Sequence, residues 1–245
     1  MSSSSLRSDL APSGTLRIGI NYGNPVLATR DPVTGELRGV AVELGRELGR
    51  RLNLTVKLVG FDAAGKMFEA VKRGLWDAAF LAIDPARAGD IDFTAAYIEI
   101  EGTYLVPAGS PLDAIQQVDR ANVRIGLSAQ SAYDLFLSRT IHNAQLVRAS
   151  GPDAAFELLM AGQVDVLAGV KQHLIANAVK LPGSYVLPGR FMAIGQALGA
   201  PKRSGASAKY LRDFIEDVKA SGFVARALEK AGVNGVTVAP PAGPE

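Results

Sequence analysis

The chain has no cysteine, only two histidines and a single tryptophan among its 245 residues. Without cysteine there is no disulfide framework and no thiol chemistry. His142 and His173, with no HExxH-like spacing around them, do not suggest a metal site, and no cofactor is expected. No apolar run approaches the roughly 18 residues that a membrane-spanning helix needs. Charge of one sign is also scarce. The formal net charge is +2 and the lysines and arginines are spread along the chain, so neither a nucleic-acid groove nor a membrane patch is expected. The opening MSSSSLRSDLAPSG lacks the apolar stretch of a secretory signal peptide. The chain as written is expected in the cytoplasm, or in the periplasm if a leader was removed.

What is present is an ordinary globular core. Hydrophobic residues make up 48% of the chain, and its length fits one large domain or two small lobes. TLRIGIN, residues 15–21, reads as a strand, broken by Gly23, Asn24 and Pro25. Residues 31–39 read as a hairpin-like excursion turning at Gly35. Val40, Leu44, Leu48 and Leu52 lie four apart and mark an amphipathic helix. NLTVKLVGF is a strand, 66–74 a short helix ending at Gly74, and WDAAFLAI a strand apolar enough to be buried on both faces. This is the βαβ rhythm of a parallel sheet. After a strand at 103–109 the pattern restarts: strand, helix, strand, helix, strand, helix through residue 180. RFMAIGQALGA then reads as a strand leading into two helices. Ser2–Ser5 and the C-terminal APPAGPE read as solvated tails. Ligands of such open α/β sheets bind at the carboxyl ends of the strands.

LRIGI, GELRGVAVELGRELGRRL, FEAVKRGLWDAAFLAI, Arg87, IDFTAAYIEIEGTYLV and RIGLSAQSAYD, in that order and spacing, resemble the amino-acid-type (family 3) extracellular solute-binding proteins of ABC importers. The resemblance covers roughly residues 15–235. It implies a two-lobed α/β fold of the periplasmic-binding-protein type (type II), with two sheets joined by two hinge strands. Lobe 1 would hold residues 15–106 and 196–236, and lobe 2 residues 107–195. Residues 1–14 and 237–245 would be flexible tails. The lobes would close on a small solute, an ABC permease is the implied partner, and a monomer is expected.

In that family the arginine ahead of an FS-like stretch clamps the ligand's carboxylate, and Arg87 matches it. A guanidinium offers a planar fork that suits a carboxylate. The bland alternative is a salt bridge to Asp84 or Asp90. The second anion site implied by the resemblance is the helix start at Gln130, Ser131 and Ala132, where backbone N–H groups favour an anion; Ser131 is equally suited to cap that helix.

Departures from the family pattern bear on the ligand. Val170, followed by Lys171, stands where relatives that bind α-amino acids carry the acid that pairs with the ammonium. Asn21 replaces the acid after the first strand, Asn24 and Ala64 replace aromatics, and Phe80 and Ala82 replace a hydroxyl pair. An ammonium buried without a carboxylate is costly, so an α-amino acid is disfavoured unless Asp84, Glu99 or Glu101 substitutes. Lys66 and Lys171, both near helix starts, suit an acidic or multiply anionic ligand, or are simply solvated. Glu99 and Glu101 share one pleat face, as a solvated edge or as a polar contact. Tyr22, Tyr97, Tyr104 and Tyr133 are better suited to the core than to ligand contact.

The function implied is non-catalytic binding of a small anionic solute by lobe closure. Two alternatives remain open at this stage. One is a dehydratase-type enzyme using a cleft carboxylate on a carboxylated substrate. The other is a cytosolic sensory ligand-binding module.

Overall fold

The computed structural model describes residues 3–202 and 205–243. In chain order the elements are α1 (Ser3–Leu10), β1 (Thr15–Asn21), β2 (Thr29–Arg30), β3 (Leu37–Arg38), α2 (Val40–Leu52), β4 (Thr55–Phe61), α3 (Ala64–Lys72), β5 (Ala78–Ala82) and β6 (Ile91–Val106). They continue as β7 (Arg124–Ser128), α4 (Ala132–Thr140), β8 (Gln145–Ala149), α5 (Pro152–Met160), β9 (Val166–Val170), α6 (Lys171–Lys180), β10 (Tyr185–Val186), β11 (Met192–Pro201), α7 (Gly205–Ala220), α8 (Phe223–Lys230) and β12 (Thr237–Val238). The chain divides into two units: Met1–Asp62, Lys66–Glu99 and Gly195–Glu245 form the first, Ala63–Gly65 and Ile100–Ile194 the second.

Unit 1 is built on parallel pairing of β1 with β4 and with β5, and on antiparallel pairing of β5 with β11. The apolar face of α2 buries Val40, Leu44, Leu48 and Leu52. Gly49 lets this helix approach the sheet, since a Cβ there would overlap a methyl of Val56. Asn53 ends the helix in the left-handed region, its N–H bonded to the Arg50 and Gly49 carbonyls. On the other side α3 packs Met67, Ala70 and Val71 against Trp76, Ala79, Leu81 and Ile91, and the Trp76 indole N–H donates to the Met67 carbonyl at 2.9 Å. All five residues of β5 are buried, as its unbroken apolar run requires.

Unit 2 repeats the plan. β7 pairs in parallel with β8 and with β9, and the end of β6 pairs antiparallel with β9. Its core gathers Leu105, Phe156, Leu159, Leu167 and Leu174. The likeness extends to single side chains. Arg17, in β1, donates to Asp77 ahead of β5 from its backbone N, Nε and Nη2, and from Nη1 to the Gly74 carbonyl. Arg124, at the start of β7, makes the same three bonds to Asp165, and its Nη2 donates to the Gly162 carbonyl.

β6 and β11 each begin in one unit and end in the other, so the hydrogen-bonded ladder counts as one sheet rather than two. The division falls after Glu99 rather than at residue 106, because Gly102–Leu105 already pair with β9. β6 itself begins at Ile91, well ahead of the strand expected at 103–109.

Both expected tails need correction. The N-terminal one contains α1, which lies against α7 and is followed by the buried pair Leu10 and Ala11. The C-terminal one contains β12, paired with Glu99 and Ile98 of β6, and the Ala239 N–H then bonds to the Tyr97 carbonyl. Short apolar residues inside polar stretches hold both segments down. Residues 1–2 and 244–245 of these tails lie outside the described residues.

His173 on α6 sets one pH dependence. Burial pushes its pKa below the ordinary value of 6.5, and this outweighs the pull of Asp153, 3.5 Å away. The unfolded chain therefore takes up this proton at a higher pH than the folded one, so stability is full above about pH 6.5 and falls as pH drops through that value. Thermal unfolding between pH 7.5 and 5.5 should show this loss in the native chain. It should shrink in His173→Gln, and an equal slope in both would exclude His173 as its source.

Candidate functional site

In unit 1 the candidate residues gather at the carboxyl ends of β1 and β5. Asn21 ends β1 and is buried, its Oδ1 accepting from the Gly23 N–H at 3.1 Å. Asn24, also buried, accepts from the Val26 N–H at 3.2 Å. Both asparagines are thus engaged in shaping the loop that leaves β1.

After β5 the chain turns tightly. Asp84 is buried and its Oδ1 accepts from the Ala86 N–H at 2.8 Å, while its carbonyl accepts from the Arg87 N–H at 3.0 Å. The Arg87 carbonyl in turn accepts from the N–H groups of Asp90 and Ile91. This turn carries the Arg87 side chain into the protein, where it is 0% exposed. Its Nη1 donates to the Ala82 carbonyl at 2.9 Å and its guanidinium lies 5.8 Å from the centre of the Phe68 ring. Burial lowers its pKa to about 10 against the opposing pull of Asp84. Arg87 is therefore charged at neutral pH, but desolvation outweighs that carboxylate's attraction. Lys66 lies outside this buried group: it is half exposed and pairs with Asp62 at 2.7 Å. Such a surface pair contributes little.

In unit 2 the candidates fall at two helix starts. Ser131 caps α4, its Oγ accepting from the Asp134 N–H at 3.1 Å. Gln130 sits at φ 56°, a left-handed conformation that a residue with a side chain adopts at a cost of about 1 kcal/mol or more. Its N–H donates to Asp134 Oδ2 at 2.8 Å. Asp134 is buried and also accepts from Ser138 Oγ at 3.1 Å and Arg148 Nε at 2.9 Å. The sequence pattern Ser131-x-x-Asp134 carries this reciprocal cap. Ala132 and Tyr133, the first two residues of α4, are buried, and burial pushes the Tyr133 hydroxyl up to about 12.

The second helix start is that of α6. Val170 is buried at its N-cap position, with no side-chain cap and no acid in the first turn. Lys171 pairs with Glu101 Oε2 at 2.7 Å, and Arg190 lies 3.5 Å from Glu101 Oε1. Glu101 is thus held by two cations. Glu99 is exposed and lies opposite Thr237 of β12.

Tyr97, Tyr104 and Tyr133 are buried, and burial raises the pKa of each. Sequence reasoning missed Asp134, Arg148, Arg190 and Gln196. Gln196 had a legible signal, being the one side chain with polar atoms inside the apolar strand MAIGQALGA.

This architecture is that of the periplasmic binding proteins. A solute receptor for L-cysteine from Neisseria gonorrhoeae matches at 22% identity over 96% of each chain, with a TM-score of 0.81. A mutant of ArgBP from T. maritima matches at 18% identity over 93% of this chain and 99% of its own, with a TM-score of 0.79. An ancestral amino acid-binding protein, a precursor of cyclohexadienyl dehydratase, matches at 18% identity over 92% and 98%, with a TM-score of 0.76. These likenesses establish the fold. Residues 16–233 match the model of the bacterial extracellular solute-binding proteins, family 3, and the chain belongs to that family.

Proposed function

We propose that the protein binds a small carboxylate-bearing solute other than a standard α-amino acid, as the substrate-binding component of an ABC-type importer. It acts by binding, not by catalysis, as a monomer with a permease as its partner. The observation that carries the reading is Arg87, a fully buried guanidinium at the end of β5 for which burial outweighs the pull of Asp84. A guanidinium at the end of a strand presents the planar fork that suits a carboxylate. In unit 2 the first turn of α4 is a second candidate anion site, with the Gln130 and Ser131 N–H groups already donating to Asp134 Oδ2 and to the Ser128 carbonyl.

An amine is disfavoured on chemical grounds unless Asp84 pairs with it. Val170 offers an ammonium nothing, and Asn21 carries no charge. Glu101, the nearest acid in sequence to β6's end, is occupied by Lys171 and Arg190. The relatives named for L-cysteine and arginine make amino acids the competing ligands. A thermal-shift screen at millimolar concentration should therefore pit keto acids, dicarboxylates and aromatic acids against L-cysteine, L-arginine and L-lysine. The largest shift is expected from a carboxylate without an amine. An amino acid as the strongest stabiliser would overturn the choice of ligand class, and no response to any carboxylate would overturn the reading itself.

A further inference from the structure

Seven asparagines stand in the chain, and Asn234 is the one followed by glycine. Asparagine is a labile residue, because its carboxamide carbon lies within reach of the next residue's backbone nitrogen. A side chain on that next residue obstructs the approach, proline has no N–H there, and glycine leaves the path open. Position and fold protect the other six. Asn21, Asn24 and Asn177 are buried, and Asn24 precedes proline. The N–H groups that follow Asn53, Asn122 and Asn143 donate to the Gly49 carbonyl at 2.9 Å, the Arg120 carbonyl at 3.2 Å and Asp119 Oδ1 at 2.9 Å.

Asn234 and Gly235 are both exposed, in the loop between α8 and β12. The N–H groups of Gly232 and Val233 close α8 by donating to the carbonyls of Glu229 and Leu228. Asn234 Nδ2 donates to the Gly232 carbonyl at 3.4 Å, a long bond, and Gly235 takes φ 69°, where glycine is unstrained. Beyond the loop the chain is a strap on unit 1. β12 pairs with Glu99 and Ile98 of β6, and the Ala239 N–H donates to the Tyr97 carbonyl at 3.0 Å. Lys219 Nζ of α7 donates both to the Ala96 carbonyl at 3.2 Å and to the Pro240 carbonyl at 2.8 Å.

We propose that Asn234–Gly235 is a site of spontaneous deamidation and isoaspartate formation, and that the isoaspartate loosens the strap. The Gly235 nitrogen gives its proton to solvent base, and its lone pair attacks Asn234 Cγ. The N–Cγ bond forms, the Cγ–Nδ2 bond breaks, and Nδ2 takes a proton from solvent and leaves as ammonia, closing a five-membered imide. Water then adds to one of the two imide carbonyls. Opening at Cγ gives aspartate. Opening at the Asn234 backbone carbonyl gives isoaspartate, whose main chain runs through Cβ and Cγ. One amide and one water become one carboxylate and one ammonium, with no change of oxidation state. The carboxylate has no proton to donate to the Gly232 carbonyl. Isoaspartate also lengthens the main chain by one carbon, about 1.5 Å, against a strand step of about 3.3 Å. β12 has only two residues, and a displacement of that size misaligns its ladder with β6.

The test ages the folded native chain and Asn234→Gln side by side at mildly alkaline pH, then maps their peptides by mass spectrometry with an isoaspartate-specific methyltransferase assay. Conversion at Asn234 should exceed that at Asn143 at least about tenfold, because Asn143 is equally exposed but precedes alanine with a bonded N–H. It should speed up with pH, since the attacking nitrogen must first lose its proton. On isoelectric focusing the aged native chain should gain a band one charge unit below its formal +2. Asn234→Gln, which would have to close a six-membered ring, should gain no such band. In the isoaspartate fraction the amide of Ala239 should exchange at least about threefold faster than in fresh chain, with β1 and β5 unchanged.

Retention of Asn234 in the folded chain, while the same chain unfolded in urea converts it, would show that the fold protects the loop and would overturn the site. Equal conversion at Asn143, or the same acidic band from Asn234→Gln, would overturn it as well. Unchanged exchange at Ala239 would confine the change to the loop and overturn its effect on the strap.

Discussion

Replacing Arg87 by lysine should weaken carboxylate binding by roughly a hundredfold while lowering the melting temperature by only a few degrees. The charge survives this change, and Asp84 keeps a cation for company. What is lost is the planar fork. Two charge-assisted hydrogen bonds to one carboxylate become at most one well-aligned bond, a difference of about 2–3 kcal/mol, and about 2.7 kcal/mol is a hundredfold in affinity. Alanine is the wrong replacement, because Arg87 is fully buried against Phe68. Truncation would leave a cavity and an uncompensated Asp84, and the fold would suffer with the site. Lysine also loses the bond from Nη1 to the Ala82 carbonyl, which accounts for the small fall in stability. Titration of the tightest-binding carboxylate, alongside thermal unfolding, checks the expectation. Unchanged affinity with a fall of about ten degrees or more would make Arg87 a strut of the turn after β5 and nothing else.

Much of the fold was legible because its signals are local. The fourfold spacing of Val40, Leu44, Leu48 and Leu52 is the buried face of α2. The unbroken apolar run in β5 is a strand covered on both sides. The restart of the pattern at RIGLS is real down to the atom: Arg17-Ile18-Gly19 and Arg124-Ile125-Gly126 occupy the same places in β1 and β7, each arginine reaching an aspartate ahead of the third strand. The site was less legible, because its partners are remote in sequence. Glu101, Lys171 and Arg190 form one charged group only once β6, α6 and the approach to β11 have been folded together. No spacing rule announces such a group, and Lys171 alone suggested a free cation. Arg87 could be placed at a strand end, but its complete burial depends on the turn that runs back from Asp84 and on Phe68 from α3. The terminal segments misled for a different reason. Polar composition described most of their residues correctly, while a few apolar ones, Leu10, Ala11 and Ala239, decided where the segments lie.

The two matching arginine–aspartate pairs make the second large prediction, since nature has run the same interaction at two depths. Asp77→Ala should cost about 3–5 kcal/mol and Asp165→Ala about 1 kcal/mol. The bonds are equivalent: each carboxylate takes a backbone N–H, an Nε and an Nη2 from its arginine. Burial is not. The Asp77 side chain is 3% exposed and Arg17 27%, against 39% for Asp165 and 40% for Arg124. Water can replace the lost carboxylate around Arg124, and screening already weakens that pair. Around Arg17 it can do so only in part, and the Arg17 backbone N–H loses its acceptor inside the sheet. In a chain of this size the difference corresponds to a melting temperature lower by about ten degrees for Asp77→Ala and by a few degrees for Asp165→Ala. Hydrogen exchange adds the location: protection should fall at β1 and β5 in the first variant and at β7 and β9 in the second. Equal losses would mean that the shared bonding geometry, and not the depth at which it is set, determines what each pair contributes to its unit.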